Sequence, residues 1–338
     1  MSGMSSPHLH GPTSLNRVML QVCLALFPAL AAHAWLFGWG IVFNVVIATV
    51  TALGSEALIL KLRERPVAPA LLDGSALVTA LLLAIALPPL APWWLVVVGS
   101  AFAIVFAKQL YGGLGFNPFN PAMVGYVVLL ISFPREMTSW LSPAELRESG
   151  ITLGMTMSAV LGSGTIDTLS GATPLDTLRT QLGMGVEMGK VMSASLFGQL
   201  GGRGWEILNG LILLGGVWLL FKRVISWHVP VAMLGSLFVM AGIFHLINPA
   251  AYADPLFHLF SGGAMLGAFF IATDPVSGAT SNRGRLLFGA GVGILTFIIR
   301  SWGGYPDGVA FSVLLMNMAA PTIDYYTAPR AFGEGGRP

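Results

Sequence analysis

Apolar residues arrive in long blocks separated by short polar, glycine- and proline-rich breaks, without the alternation of a half-buried strand. An α-helix needs about 20 such residues to cross the hydrocarbon core of a bilayer. Ten blocks near that length are read, several of them short: 18–37, 41–60, 71–90, 93–110 and 121–133, then 205–221, 229–247, 256–273, 286–299 and 309–325. Residues 134–204, between the two groups, are polar to mixed and read as an extramembrane segment. The organisation expected is an N-terminal segment 1–16, a first five-helix unit 17–134, a loop 135–204, a second unit 205–326 and a tail 327–338.

The two units resemble each other. ALVTALLLAIALPP (76–89) parallels AMLGAFFIATDP (264–275). LYGGLGFNPFNPAMVGYVVLL (110–130) parallels SWGGYPDGVAFSVLLMN (301–317) through the pairs Gly112, Gly113 and Gly303, Gly304. Five crossings is an odd number, so a second copy would be inverted relative to the first. Inverted repeats with interrupted helices carry their sites near the repeat interface. In GFNPFNPA (115–122) two prolines interrupt an apolar region, leaving backbone groups that neighbours or a ligand must satisfy. The fold class expected is an all-α membrane protein, about ten transmembrane helices in two inverted five-helix repeats with a broken or re-entrant helix.

Composition agrees. The chain of 338 residues is 55% hydrophobic and only 9% charged, where soluble chains carry roughly a quarter charged residues. Eleven of its 17 lysines and arginines fall in segments on one side, Lys61, Arg63, Arg65, Lys108, Lys222, Arg223, Arg283 and Arg285 among them. By the positive-inside rule both termini are then cytoplasmic and the long loop faces outward. Trp35, Trp39, Trp93 and Trp94 suit interfacial anchors. A net charge of +2 without a basic face excludes a nucleic-acid footprint. Cys23 is the single cysteine, so an internal disulfide and a four-thiolate iron–sulfur cluster are excluded. No metal site is read. Residues 1–14 lack the pattern of a cleaved signal peptide. Glu56, Asp73, Asp254, Asp307 and Asp324 are read as lying near helix ends, and His33, His228 and His245 as belt or helix-end residues.

One loop segment carries chemistry. In DTLSGAT (167–173) the small Gly171 and Ala172 leave the Thr173 hydroxyl open to another enzyme. A threonine hydroxyl needs external activation before it acts as a nucleophile. Activated, it can accept a phosphoryl-linked group. On residue types alone an ordinary Ser/Gly/Pro turn stands beside that reading.

FNPAMVGYVVLLISFP (119–134), DGSALVTALLLAIALPP (73–89) and DTLSGAT together resemble the D subunits (RnfD, also RsxD) of Rnf ion-translocating electron-transport complexes. The related subunit is NqrB of the sodium-pumping NADH:quinone oxidoreductase. The resemblance runs from about residue 17 to the last helix. It implies FMN joined through its phosphate to Thr173 by a flavin transferase outside the cytoplasmic membrane. Asp167, Ser170, Gly171 and Ala172 would be the recognition residues. It also implies a bacterial inner-membrane subunit, inactive alone, that relays electrons between ferredoxin- and NADH-side partners, coupled to Na⁺ or H⁺ movement. Those partners are other membrane, FMN-bearing and iron–sulfur subunits. A non-covalent riboflavin between the repeats is implied as well, and Asn117, Asn120, Thr273 and Asp274 are its candidate residues. DPVSGAT (274–280) fits the same attachment pattern, but Thr280 falls in a short loop expected to be cytoplasmic. Its Asp274 and Ser277 are expected to cap or break a helix end. Two alternatives stay open: an NqrB-like quinone-linked subunit, and a urea-transporter-like channel without cofactor.

Overall fold

The computed structural model describes residues 15–147, 150–162 and 170–328. Helices α1 (Leu15–Phe37) and α2 (Gly40–Leu62) form a hairpin turned at Gly38, whose φ of +91° suits a residue without Cβ. Next come α3 (Val67–Leu71), α4 (Ser75–Ala86), α5 (Trp93–Phe102), running on into a π-helical turn Ala103–Gln109, and α6 (Pro121–Ser132). The middle segment holds α7 (Pro134–Thr138), β1 (Trp140–Leu141), α8 (Leu153–Val160), β2 (Ser170–Gly171), α9 (Pro174–Gly183) and α10 (Met188–Met192). The chain then forms α11 (Trp205–Phe221), α12 (His228–Ile247), α13 (Pro255–Phe260) and α14 (Ala264–Leu266), which opens into a π turn Gly267–Ile271. Helices α15 (Asn282–Trp302) and α16 (Val309–Thr327) close it.

Among the described residues, four helices, α1, α2, α12 and α15, are long and apolar enough to cross a membrane. The others are shorter or interrupted. α4 and α6 have 12 residues each, about 18 Å of helix against a core of roughly 30 Å. The block expected at 256–273 is broken between α13 and α14 around Gly262, whose φ is +62°. The first half opens on helices of 23 and 23 residues and the second on helices of 17 and 20.

Small residues bring helices together where lipid supplies no hydrophobic drive between them. At Gly215 of α11 a Cβ would sit 2.2 Å from the Ala25 carbonyl oxygen of α1. At Gly293 of α15, one turn beyond Gly289, it would sit 2.2 Å from the Met233 carbonyl of α12. Leu26, Leu83, Leu95, Phe288 and Val313 are buried in the shared core. Phe27, Val50, Leu214, Phe238 and Leu287 are exposed on the helix surfaces, an apolar exterior matched to lipid.

Glu56 and Lys108 depart from the sequence reading. Glu56 lies within α2, 1% exposed, not at a solvated end. Lys108, counted among the loop charges, is equally buried, because the π turn carries helical structure through Gln109. The Asn–Pro region forms turns, and the helix resumes at Pro121 with Asn120 as its cap: Asn120 Oδ1 accepts from the Met123 N–H at 3.2 Å.

Candidate functional site

Thr173 caps α9. Its Oγ1 accepts the Asp176 N–H at 3.2 Å, and Pro174 at the first helical position has no N–H that needs a partner. Asp176 puts negative charge in the first turn, where the helix dipole favours it. Just upstream, β2 pairs antiparallel with β1, setting Gly171 opposite Trp140. A Cβ at Gly171 would lie 2.9 Å from Ser142 Oγ, and one at Gly202 would lie 2.0 Å from Pro174 Cγ. These two close approaches pin the segment on either side of Thr173. Earlier in the same middle segment, Arg147 Nη2 donates to the Leu36 carbonyl at 3.0 Å, tying it to the end of α1. Burial there lowers the Arg147 guanidinium from its ordinary value.

Thr173 lines a cleft whose empty space is about 1070 Å³, including solvent at its mouth. Trp140, Trp205, Tyr126, Met123 and Leu208 supply flat and apolar walls. Asn209 and Asp307 supply the inner polar groups. Asn209 Nδ2 donates to the Trp205 and Phe260 carbonyls at 3.0 and 3.1 Å, while its buried Oδ1 has no partner among the described residues. Asp307 Oδ2 accepts the Gly263 N–H at 2.6 Å, and Oδ1 pairs with Arg300 Nη2 at 3.0 Å. Arg300 also donates to the His258 and Ser261 carbonyls, so it satisfies the backbone freed where α13 breaks.

A second cavity, with about 860 Å³ of empty space, is lined by all four residues named for a second ligand: Asn117, Asn120, Thr273 and Asp274. Ser75, Lys108, Phe269 and Phe270 join them. Asn117 Nδ2 donates to the Phe119 carbonyl at 3.0 Å, and its buried Oδ1 is unpartnered among the described residues. The Asn120 N–H donates to Asn317 Oδ1 at 3.1 Å, and Asn317 Nδ2 donates to the Ser277 carbonyl at 3.0 Å. Thr273 Oγ1 donates to the Phe269 carbonyl at 2.7 Å. The first cavity meets the C-terminal end of α4 and the N-terminal end of α11, and the second meets their other ends. The two cavities therefore open toward opposite ends of shared helices.

The second heptapeptide folds back on itself. Asp274 accepts from the Val276 N–H at 3.2 Å and from the Ser277 hydroxyl at 2.7 Å. They shape a turn before α15, but the cap of that helix is Ser281, which accepts the Gly284 N–H at 2.9 Å. Thr280 is exposed and its N–H donates to Asp324 Oδ1 at 2.8 Å.

Of the attachment motif, Asp167 lies outside the described residues, and of Ser170 only the backbone is described. Sequence reasoning missed Tyr126, Trp140, Trp205 and Asn209 entirely, and treated Asp307 as a solvated end. Tyr126 lies within α6, Trp140 on β1, and Trp205 and Asn209 on α11, so no local pattern marks them as one site.

A model of the NQR2, RnfD, RnfE family matches residues 3–333. The D subunit of the ion-translocating oxidoreductase complex of Escherichia fergusonii is 52% identical over 343 aligned residues, covering 98% of this chain and 97% of the relative. The proteins of the same name from Salmonella paratyphi B and Salmonella typhi are 53% identical with the same coverage. The chain belongs to the NQR2, RnfD, RnfE family.

Proposed function

We propose that this member of the NQR2, RnfD, RnfE family is the D-type membrane subunit of an Rnf ion-translocating oxidoreductase complex, carrying FMN as a phosphoester on Thr173 and a non-covalent flavin in the second cavity. The observation that carries the reading is the position of the Thr173 hydroxyl: on the wall of a cleft lined with Trp140, Trp205 and Tyr126, beside the unpartnered Asn209 Oδ1. A flavin ring is flat, mostly apolar and carries one imide N–H, so aromatic walls and a lone buried acceptor are fitting partners. Once Oγ1 is esterified, the Asp176 N–H at the α9 terminus is free to face phosphate oxygens, a site favoured by the dipole. Bound FMN supplies one- and two-electron chemistry, and the chain contributes binding, orientation and electrostatics.

In this reading the chain crosses the inner membrane ten times in two inverted halves, with termini cytoplasmic and the α9 loop outside. That side gives an external flavin transferase access to Thr173 and denies it Thr280. Electrons pass between the cavities and on to partner subunits, coupled to Na⁺ or H⁺ movement. Asn117, with its buried unpartnered Oδ1, and Asn120 face the second flavin.

The test is in-gel flavin fluorescence of the denatured protein, co-expressed with the transferase, beside Thr173→Ala and Thr280→Ala. Fluorescence that survives denaturation and disappears only in Thr173→Ala supports attachment and topology together. Wild type without fluorescence favours a cofactor-free channel, and loss only in Thr280→Ala inverts the proposed orientation.

A further inference from the structure

Lys108 and Glu56 are an ion pair sealed inside the helical bundle. Lys108 Nζ lies 2.6 Å from Glu56 Oε1, each side chain 1% exposed. Gln109 Nε2 donates to the same oxygen at 2.7 Å. Lys108 Nζ also donates to Ser75 Oγ at 2.7 Å, and that hydroxyl donates to Asp73 Oδ1. The π turn makes this possible, since its wider winding brings the adjacent residues Lys108 and Gln109 both to the Glu56 carboxylate. Such turns recur at functional sites.

Burying two charges is costly, and an apolar pair of equal volume often serves stability as well or better. An ionisable pair at this depth therefore calls for a function. The pair is also oriented. Lys108 and its partner Ser75 line the second cavity, whereas Glu56 does not, so the lysine is the member of the pair on the cavity side. The other charged group on that wall, Asp274, is committed to the Val276 N–H and the Ser277 hydroxyl.

We propose that Lys108 is a positioning residue for charge: its ammonium, held in place by Glu56 and Ser75, stabilises the anion formed when the second cavity's redox ligand takes up an electron. The inference rests on the reading that this cavity holds a non-covalent flavin. The electron comes from a one-electron donor on a partner, a reduced flavin or an iron–sulfur centre. No bond breaks, and Lys108 keeps its proton. A charge already in place where negative charge develops has no reorganisation cost at the moment of transfer, and its effect is largest where water is excluded. Glu56 attenuates the cation and fixes where it points.

The experiment uses the intact complex. Non-covalent flavin is quantified by acid extraction, and the reduction potential of each flavin is measured by spectroelectrochemical titration, the covalent FMN acting as internal control. The variants are Glu56→Gln, Lys108→Arg and the double variant Lys108→Gln with Glu56→Gln, which avoids an unpaired buried carboxylate. Expected are a higher potential for the non-covalent flavin in Glu56→Gln, a clearly lower one in the double variant than in Glu56→Gln, and a value near wild type in Lys108→Arg. The covalent FMN stays put in all three. Equal potentials in Glu56→Gln and the double variant, with flavin still bound, overturn the role of Lys108. Wild-type complex that releases no flavin to acid overturns the second-flavin reading itself, and the inference with it.

Discussion

The heptapeptides at 167–173 and 274–280 share five of seven residues, DTLSGAT against DPVSGAT, and the fold treats them differently. The first ends on Thr173, which caps α9 and lines an aromatic cleft. The second ends on Thr280, which is exposed, with the capping role passed to Ser281 and its own N–H held by Asp324. Equivalent hydroxyls thus have opposite surroundings. A short motif says which chemistry a segment could undergo, while the structure around it says whether anything stands ready to receive the product.

That contrast can be tested from its strongest consequence downward. Replacing Thr168 by Pro and Leu169 by Val writes the second heptapeptide at the first location. Covalent flavin should remain near the wild-type amount by in-gel fluorescence, because location decides. Loss as complete as expected for Thr173→Ala would instead give the decision to the two central residues. Asp324→Ala removes the anchor of the Thr280 N–H and should cost about 1–2 kcal/mol locally. Hydrogen exchange should quicken at that amide while flavin stoichiometry stays constant. Asn209→Leu should leave attachment intact but weaken the fit of the ring by about 1 kcal/mol, visible as a changed flavin absorption band and reduced thermal protection. Asp176→Ala should cost about 0.3–1 kcal/mol in chain made without transferase. In flavinylated chain the loss should shrink, since the phosphate brings its own negative charge to the same helix end. Paired melting curves with and without transferase read the difference.

Much of the helical layout was legible because a block of apolar residues without charges has few other uses, and every block that was read contains helix in the structure. Helix lengths were less legible. The Pro88–Pro89 pair of ALVTALLLAIALPP marks where α4 stops, whereas its start at Ser75, behind Gly74 with φ of +80°, leaves no mark in the apolar pattern of the 71–90 block. Thr173 stood out through a local motif. The cleft it faces did not, because Tyr126, Trp140, Asn209 and Asp307 come from four separate segments and meet only in the fold. Glu56 and Lys108 are 52 positions apart, and a lysine at the edge of an apolar block looks the same whether it is solvated or paired. The π turn that buries it leaves no period to read.

The place of Thr173 on its cavity wall also bears on supply. A cofactor tied there by a short ester arm stays at an effective concentration on the order of millimolar, whatever the cell contains. Occupancy of the other cavity by the proposed non-covalent flavin would obey mass action and follow the free flavin pool. On the proposed function, a shortage of the vitamin should then remove the loosely held flavin first and spare the tethered one, interrupting the proposed relay at the end nearest Lys108.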